Sequence, residues 1–139
     1  MELAQALAFA KARKQGVLTT IRRDGRPQMS NIMYATRDDD FLISVTESRA
    51  KTKNLRRDPR AALYVLGENF WSFVVLDGVV ELSGVATHVD DDVTSQLVDY
   101  YRRGAGEHPD WDDFRATMVK EGRVLATLRP TTAYGMIQG

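Results

Sequence analysis

Short runs in which apolar and polar residues alternate dominate the chain. Such period-two alternation is typical of strands that bury one face. Between Ser30 and Tyr34, for example, Ser30, Ile32 and Tyr34 share one face, and Asn31 and Met33 share the other. The pattern predicts strands over residues 17–23, 28–36, 41–46, 61–66, 70–76, 79–89, 123–129 and 132–137. Because hairpin turns join many of these short strands, the pattern favours an antiparallel barrel over a parallel α/β sheet.

Helical spacing of apolar residues predicts a few short helices. The first covers residues 2–14, and Gly16 stands where a C-terminal cap belongs. The second covers residues 51–57 and is stopped by Asp58 and Pro59. The third begins after Asp90 or Asp91. The fourth is capped by Asp110 and ends at Gly122, since aspartate accepts hydrogen bonds from free backbone N–H groups at helix starts.

Glycines mark the expected turns. Asp24-Gly25 predicts a type I′ hairpin turn, in which both central residues need positive φ. Gly67-Glu68-Asn69 and Asp77-Gly78 predict two more turns. Gly84 indicates a bulge or bend within the strand over residues 79–89. The resulting chain, residues 1–139, is predicted to be one mainly β domain with peripheral helices.

Composition excludes several classes of protein. The chain has 139 residues, 43% of them hydrophobic, which fits a single globular domain. It has no cysteine, so disulfides and thiolate chemistry are excluded. Nineteen basic and nineteen acidic residues give zero net charge, which argues against a globally basic nucleic-acid binder. No apolar run approaches a membrane span, and Glu2 followed by Lys11 reverses the order of a secretory signal. We therefore expect a cytoplasmic protein.

The chain offers few catalytic side chains. His88 and His108 are far apart, no Ser-His-Asp arrangement can be argued, and no cluster has metal-ligand spacing. Phosphate-loop and dinucleotide glycine motifs are missing as well. His108 is a candidate proton donor, although a loop histidine is more often incidental. No catalytic residue is assigned and no metal is expected, so a bound cofactor is the natural source of any difficult chemistry.

Residues 49–60 concentrate positive charge. Six of the nineteen basic residues lie in these twelve positions, opposed only by Asp58. The segment enters a short helix, and free N–H groups at a helix N-terminus bind anions. Arg49 and Lys51 would add charge-assisted hydrogen bonds to a phosphate. A solvated basic helix face is the alternative, and a nucleic-acid patch is disfavoured because no aromatic residue interleaves the charges.

Uncharged polar residues form a second candidate group at the start of the predicted second strand. Gln28, Ser30 and Asn31 carry donors and acceptors suited to the edge of a flat heteroaromatic ring. An outward-facing strand surface is the alternative account. Trp71 and Tyr34 are candidates for lining a ring pocket, with core packing or a dimer interface as the alternative.

Several stretches together resemble a known family. They are Gly16-Val17-Leu18-Thr19-Thr20, Asp24-Gly25-Arg26-Pro27-Gln28, Ser30-Asn31, Ser48-Arg49-Ala50-Lys51-Thr52-Lys53-Asn54-Leu55, Arg57-Asp58-Pro59-Arg60-Ala61, Trp71-Ser72, Asp77-Gly78, Gly106-Glu107-His108, Asp110-Trp111-Asp112-Asp113-Phe114-Arg115 and Tyr134-Gly135. In this order they resemble the split-barrel flavin/deazaflavin oxidoreductases, the relatives of pyridoxamine 5′-phosphate oxidase. The stretches from Gly106 to Arg115 are similar to those of the branch that uses the deazaflavin coenzyme F420.

The resemblance implies a six- to seven-stranded antiparallel split β-barrel that forms a homodimer, with the cofactor in a groove at the dimer interface. The implied function is an oxidoreductase that transfers hydride from reduced F420 to an activated double bond of a small organic acceptor. An FMN-dependent oxidase or reductase is the alternative cofactor assignment. Enzymes of that kind usually carry Arg or Gln contacts from the middle strands, and residues 70–76 offer none. A non-catalytic F420 carrier is the alternative from another class.

The resemblance also implies cofactor contacts for eleven residues. They are Arg49, Ala50 and Lys51 at the phosphate, Asn54 as a brace of the phosphate loop, Gln28, Ser30 and Asn31 at the ring system, Ser44, Val45 and Thr46 beside the ring and its polyol chain, and Trp71 in the pocket wall. From charge alone we add the hypothesis that Arg22, Arg23 and Arg26 attract an acidic glutamate tail.

Overall fold

The computed structural model describes residues 1–138. Within that part of the chain, four helices and seven strands follow one another. They are α1 (Leu3–Lys11), β1 (Gln15–Ile21), β2 (Pro27–Met33), β3 (Ala35–Arg37), β4 (Asp40–Thr46), α2 (Ala50–Arg57), β5 (Arg60–Leu66), β6 (Phe73–Leu82), α3 (Asp92–Ala105), α4 (Trp111–Lys120) and β7 (Arg123–Met136).

All seven strands belong to one curled antiparallel sheet with the order β2-β1-β5-β6-β7-β4-β3. The strands β2 and β3 are neighbours along the chain but form the two edges of the sheet. Helix α2 contacts β1, β2, β4 and β6, and α3 and α4 pack together beside β3, β4 and β7. This architecture confirms the predicted antiparallel split barrel with peripheral helices.

Both faces of the sheet bury apolar side chains. Phe41, Ile43 and Leu63 belong to the larger core, which α1 and α2 also contact. Leu42 points the other way and packs with Leu97 of α3 in a smaller core. Because successive side chains of β4 alternate between the two cores, its short run of apolar residues is buried on both sides.

The helix limits follow the predicted capping residues. The Asp91 carboxylate accepts a hydrogen bond from the Thr94 N–H at 2.7 Å, which begins α3. The Asp110 carboxylate accepts one from the Asp113 N–H at 3.1 Å, which begins α4. Gly122 follows α4 with φ of 63°, in the left-handed region that favours glycine. None of the helices in residues 1–138 is long and apolar enough to cross a membrane.

Two predictions near the N-terminus are wrong. Helix α1 ends at Lys11, and Gly16 lies within β1, where a Cβ would come within 2.6 Å of the Tyr64 carbonyl oxygen. Gly16 is therefore a site of close strand approach rather than a helix cap. In the hairpin after β1, only Gly25 has positive φ, and the Gly25 N–H donates to the Arg22 carbonyl. This is a type I turn followed by a left-handed glycine, not a type I′ turn.

The middle of the sheet also differs from the prediction. Asp77-Gly78 is not a turn but an irregularity inside β6, where the register with β7 shifts. The strand continues to Leu82 and ends there, so residues 83–89 are not a strand and Gly84 does not bend one. Phe70 and Trp71 lie in the connection before β6 rather than in the strand. A local Asp-Gly signal does not distinguish a turn from a β-bulge, because the partner strand decides which one forms.

Two predicted strand limits are corrected as well. The stretch predicted over residues 28–36 divides at Tyr34 into β2 and β3. The two strands predicted at the C-terminus are one, β7, which pairs with β4 through residues 123–128 and with β6 through residues 126–136. Residues 126–128 therefore pair on both sides, and β7 joins the two halves of the curled sheet.

Candidate functional site

The connection from β4 into α2 holds the start of α2 in a fixed position. The Thr46 carbonyl oxygen accepts hydrogen bonds from the Arg49 N–H at 3.1 Å and from the Thr52 hydroxyl at 2.7 Å. Thr52 is fully buried. Arg49 is the N-cap residue, no side chain caps the helix, and its first turn has no acidic residue. Free N–H groups and the positive end of the helix dipole are therefore available to an anion.

The basic residues of this segment have different partners. Arg56 forms an ion pair with Glu47 at 2.7 Å, and Arg60 forms one with Asp58 at 2.8 Å. Among residues 1–138, no carboxylate lies within ion-pair distance of Arg49 or Lys51. The two cations at the start of α2 thus keep their charge unneutralised, whereas Arg56 and Arg60, further along the segment, are neutralised by ion pairs.

Arg123 adds a third cation to this end of the sheet. It pairs with Thr46 across β7 and β4 and also forms an ion pair with Glu121 at 3.0 Å. Burial lowers the pKa of Lys51, and the charges of Arg49 and Arg123 lower it further. Because like charges repel the Lys51 ammonium, an anion placed among the three cations would relieve that repulsion.

Tyr100 of α3 lies on the same side of the sheet. Burial raises the pKa of its hydroxyl, and the backbone N–H of Ser44 and the charge of Arg123 act in the opposite direction. Ser44 and Thr46 are partly exposed, whereas Val45 is 1% exposed and points into the larger core. Ser44 and Thr46 therefore present their side chains toward Tyr100 and Arg123, and Val45 can offer only its backbone.

Gln28 is connected to α2 through two buried side chains. The Thr20 hydroxyl donates to Gln28 Oε1 at 2.9 Å, and Asn54 Nδ2 donates to Thr20 Oγ1 at 3.1 Å. Thr20 is fully buried and Asn54 is 8% exposed. Ser30 lies two residues after Gln28 on the same face, and its Oγ is buried without a hydrogen-bond partner among residues 1–138. An orphaned buried hydroxyl costs about 1–3 kcal/mol, which a ligand group could recover.

Two of the predicted site residues lie elsewhere in the chain's own fold. Asn31 is on the exposed face of β2, between Met29 and Met33, and opposite to Gln28 and Ser30. Trp71 is 65% exposed in the connection after β5, whereas α2 precedes β5. The seven residues of β5 lie between Trp71 and α2 and span roughly 23 Å. The fold of one chain thus does not bring Asn31 or Trp71 to the start of α2.

Other candidates have local explanations. Tyr34 is 2% exposed, and its hydroxyl donates to the Ala10 carbonyl at 2.6 Å, so it anchors α1 in the core. His88 and His108 each accept a backbone N–H at Nδ1, from Asp90 and Asp110 respectively. Residues 1–138 contain no group of three His, Cys, Asp or Glu side chains arranged to hold a metal.

Arg22, Arg23 and Arg26 occupy the exposed hairpin that follows β1. Arg57 of α2 donates to the Ile21 carbonyl at the end of that strand. The three arginines therefore lie near the C-terminal end of α2, rather than with Arg49 at its start.

Sequence reasoning missed three residues of this region. Tyr100, Arg123 and Thr20 are not among the cofactor contacts expected from the sequence. Pairing of β7 with β4 and packing of α3 and α2 on the sheet bring them to the site. A buried polar residue in an otherwise apolar strand face, as at Thr20, was the one available signal.

The curled antiparallel sheet defines a split-barrel protein, and Arg49, Lys51 and Arg123 form a cationic corner at the start of α2. The chain belongs to the pyridoxamine 5′-phosphate oxidase family, whose sequence profile matches residues 3–136. Nearly the whole chain is therefore accounted for by one family domain.

Solved structures with the same fold carry different functional names. An F420 reductase is 22% identical, with a TM-score of 0.69 over 91% of this chain and 94% of that one. A conserved hypothetical protein of Mycobacterium tuberculosis is 22% identical, with a TM-score of 0.72 over 100% and 93%. The heme storage protein of Vibrio cholerae is 14% identical, with a TM-score of 0.68 over 96% and 93%. At these identities the likeness concerns the fold.

Proposed function

We propose that this protein is an oxidoreductase that binds the deazaflavin coenzyme F420 and passes hydride from its reduced form to an activated double bond of a small organic acceptor. The observation that carries the proposal is the uncapped start of α2, where Arg49, Lys51 and Arg123 lie close together. Among residues 1–138, Arg49 and Lys51 have no carboxylate partner, whereas Arg123 pairs with Glu121. The F420 reductase with the same fold supports this choice of cofactor.

The residues present fit a phosphorylated ring cofactor. Arg49 and Lys51 would hold its phosphate through charge-assisted hydrogen bonds, together with the backbone N–H of Ala50. Ser44 and Thr46 would line the path along β4, while Gln28 and the orphaned hydroxyl of Ser30 would meet the ring. When bound, reduced F420 supplies a hydride at its ring carbon. The chain contributes orientation, charge complementarity and exclusion of water.

The protein is proposed to act as a homodimer with the cofactor at the subunit interface. Several large apolar side chains are exposed. They include Met33 of β2, Tyr134 of β7, and Trp71 in the connection between β5 and β6. Such a surface is unusual for a monomer and marks an interaction site. Pairing of two copies is the route by which Asn31 and Trp71 would reach a cofactor. Sedimentation equilibrium of the purified protein is expected to give twice the chain mass, and a monomer at micromolar concentration would contradict this part of the proposal.

Cofactor titration tests the leading assignment. F420 and FMN are added separately to the purified protein, and the fluorescence of each ligand is followed. We expect saturable binding of F420. Tight binding of FMN without binding of F420 would instead establish the flavin-dependent alternative on the same fold.

Turnover separates an enzyme from a carrier. Reduced F420 is mixed with a quinone, an enone or a lactone in the presence of the protein, and reoxidation of the cofactor is followed by absorbance. Reoxidation above the protein-free rate is expected. Tight F420 binding without acceleration for any acceptor would favour a storage or carrier role.

The lowered pKa of Lys51 gives the site a pH dependence. Burial and the neighbouring charges lower this pKa in the free protein, and a bound anion would raise it again. Binding therefore takes up protons at alkaline pH, and F420 affinity should decline as pH rises through the pKa of the free amine. Replacing Lys51→Gln should weaken F420 binding and remove that decline, while thermal stability without ligand stays the same or increases.

Lys53→Gln is the matched control, since it removes an exposed cation from the same helix. Equal loss of pH dependence in both variants would show that net charge, rather than the position of Lys51, governs binding.

A further inference from the structure

A chain of hydrogen bonds crosses the interior from α2 to β2. Arg57 donates to Asn54 Oδ1 at 3.3 Å, Asn54 Nδ2 donates to Thr20 Oγ1 at 3.1 Å, and the Thr20 hydroxyl reaches Gln28 Oε1 at 2.9 Å. The two middle members are buried, Thr20 fully and Asn54 to 8% exposure. Water therefore does not compete strongly for their hydrogen bonds.

Arg57 determines which group donates and which accepts in each of these hydrogen bonds. A guanidinium carries only donors, so the Asn54 atom facing it is the carbonyl oxygen, and the Asn54 amide nitrogen must face Thr20. The Thr20 oxygen then accepts from Asn54, and its single proton is available to Gln28 Oε1. A reversed Gln28 amide would give Thr20 Oγ1 two donors and leave its own proton without a partner.

The outer end of the chain is consequently a donor. Within the described part of the chain, Gln28 Nε2 donates one hydrogen bond, a weak one at 3.4 Å to the Met29 carbonyl in an exposed setting. Its two N–H groups therefore remain largely free on the partly exposed end of β2. Gln28 shares that face of the strand with the orphaned Ser30 hydroxyl.

We propose that Thr20 and Asn54 are positioning residues that fix Gln28 as a hydrogen-bond donor, so that the site selects a ring edge presenting an acceptor. A ring carbonyl oxygen or an unprotonated ring nitrogen satisfies Gln28 Nε2, whereas a ring edge presenting only N–H groups is rejected because two donors would meet. This inference rests on the proposed function for the identity of its ligand. The donor and acceptor order of the hydrogen bonds, in contrast, is a property of the free protein.

The polarity can be measured without any ligand. In the wild-type protein, NMR should show stronger nuclear Overhauser contacts to Thr20 from the Asn54 side-chain amide protons than from the Gln28 amide protons. In Asn54→Asp, the new carboxylate accepts from both Arg57 and the Thr20 hydroxyl. The Thr20 oxygen then accepts from Gln28, so the Gln28 amide protons should approach Thr20. Stronger contacts to Thr20 from Gln28 than from Asn54 in the wild type would overturn the inference, whatever the cofactor.

Ligand binding tests whether the fixed donor matters. The probes are riboflavin and 8-hydroxy-5-deazariboflavin, because they lack the phosphate whose repulsion by a carboxylate would confuse the Asn54→Asp result. Loss of one neutral hydrogen bond in Thr20→Val should weaken the bound probe about 2- to 10-fold, and Asn54→Asp more strongly, since an acceptor then faces an acceptor. Thr20→Ser keeps the hydroxyl and should restore wild-type affinity.

The reduction potential of bound riboflavin distinguishes positioning from a structural role. Withdrawal of a donor from the ring should lower that potential in Thr20→Val and not in Thr20→Ser. Thr19→Val, on the opposite face of β1, is the control and should match the wild type. Unchanged affinity and potential in a folded Thr20→Val would refute the positioning role. If the wild type binds neither F420 nor FMN, the proposed function fails, while the NMR result still decides the direction of the hydrogen bonds.

Discussion

Replacing Arg49→Ala together with Lys51→Ala should weaken F420 binding roughly 10²- to 10⁴-fold, because each charge-assisted hydrogen bond contributes about 1.5–3 kcal/mol. Neither cation has an acidic partner in residues 1–138, so the fold loses no ion pair when both are removed. Fluorescence titration with F420 measures the affinity, and thermal unfolding checks that the variant is folded.

The matched control removes the same charge elsewhere. Lys11→Ala with Lys14→Ala removes two exposed cations at and just after the end of α1, and Lys11 pairs with the exposed Asp39 just before β4. Both lysines lie near the beginning of β1, at the opposite end of that strand from Thr20 and α2. The F420 affinity of this variant should stay within about twofold of wild type, since surface charges beyond a Debye length are screened. Full F420 affinity in the Arg49→Ala, Lys51→Ala variant would rule out the start of α2 as the phosphate site.

The second large effect concerns the fold. Gly135 has φ of 146°, and a Cβ there would overlap the Phe73 carbonyl oxygen and lie 2.8 Å from the Val74 Cα. Gly135→Ala should therefore lower the free energy of unfolding by about 2–5 kcal/mol, from backbone strain and forced separation of β6 and β7. Urea unfolding followed by circular dichroism measures the loss.

Gly84→Ala provides the comparison for that experiment. A Cβ at Gly84 meets nothing within 4 Å, and its φ is outside the left-handed region. Its stability should change by less than about 0.5 kcal/mol. Equal stabilities of the two variants would contradict the steric account of Gly135.

Features that depend on a few adjacent residues could be predicted from the sequence. Asp91 and Asp110 cap the helices that follow them, and Gly122 ends the last one, because capping requires only the local backbone. Alternation of apolar residues located most strands for the same reason. The antiparallel class of the fold followed from these short strands and their hairpins.

Features that depend on a partner strand were predicted poorly. Asp77-Gly78 carries the same dipeptide as Asp24-Gly25, yet it forms an irregularity within a strand. Gly78 lies opposite Pro130, which has no N–H to donate, and Thr131 is left out of the pairing. Only the register of β6 against β7 reveals this, and a single sequence does not contain that register.

The residues of the candidate site also fall into a group that is local in sequence and a group that is brought together by the fold. Arg49 and Lys51 were identified because their charge and the helix start are adjacent in sequence. Arg123, Tyr100 and Thr20 were missed because they come from distant elements that meet through sheet pairing and helix packing. Gln28 could be predicted as a candidate from its chemistry, but the donor role proposed for it depends on Thr20 and Asn54.

The shared strand β7 makes the molecule one cooperative unit. Arg123 at its first residue belongs to the cationic corner, and Tyr134 near its end belongs to the exposed apolar surface, while residues 126–128 are bonded on both sides. Residues 123–125 pair with β4 and residues 129–136 pair with β6, so the two halves of the sheet are joined through residues 126–128. Opening this shared segment separates β7 from both neighbours at once, and an anion held at Arg123 would stabilise the segment against such opening.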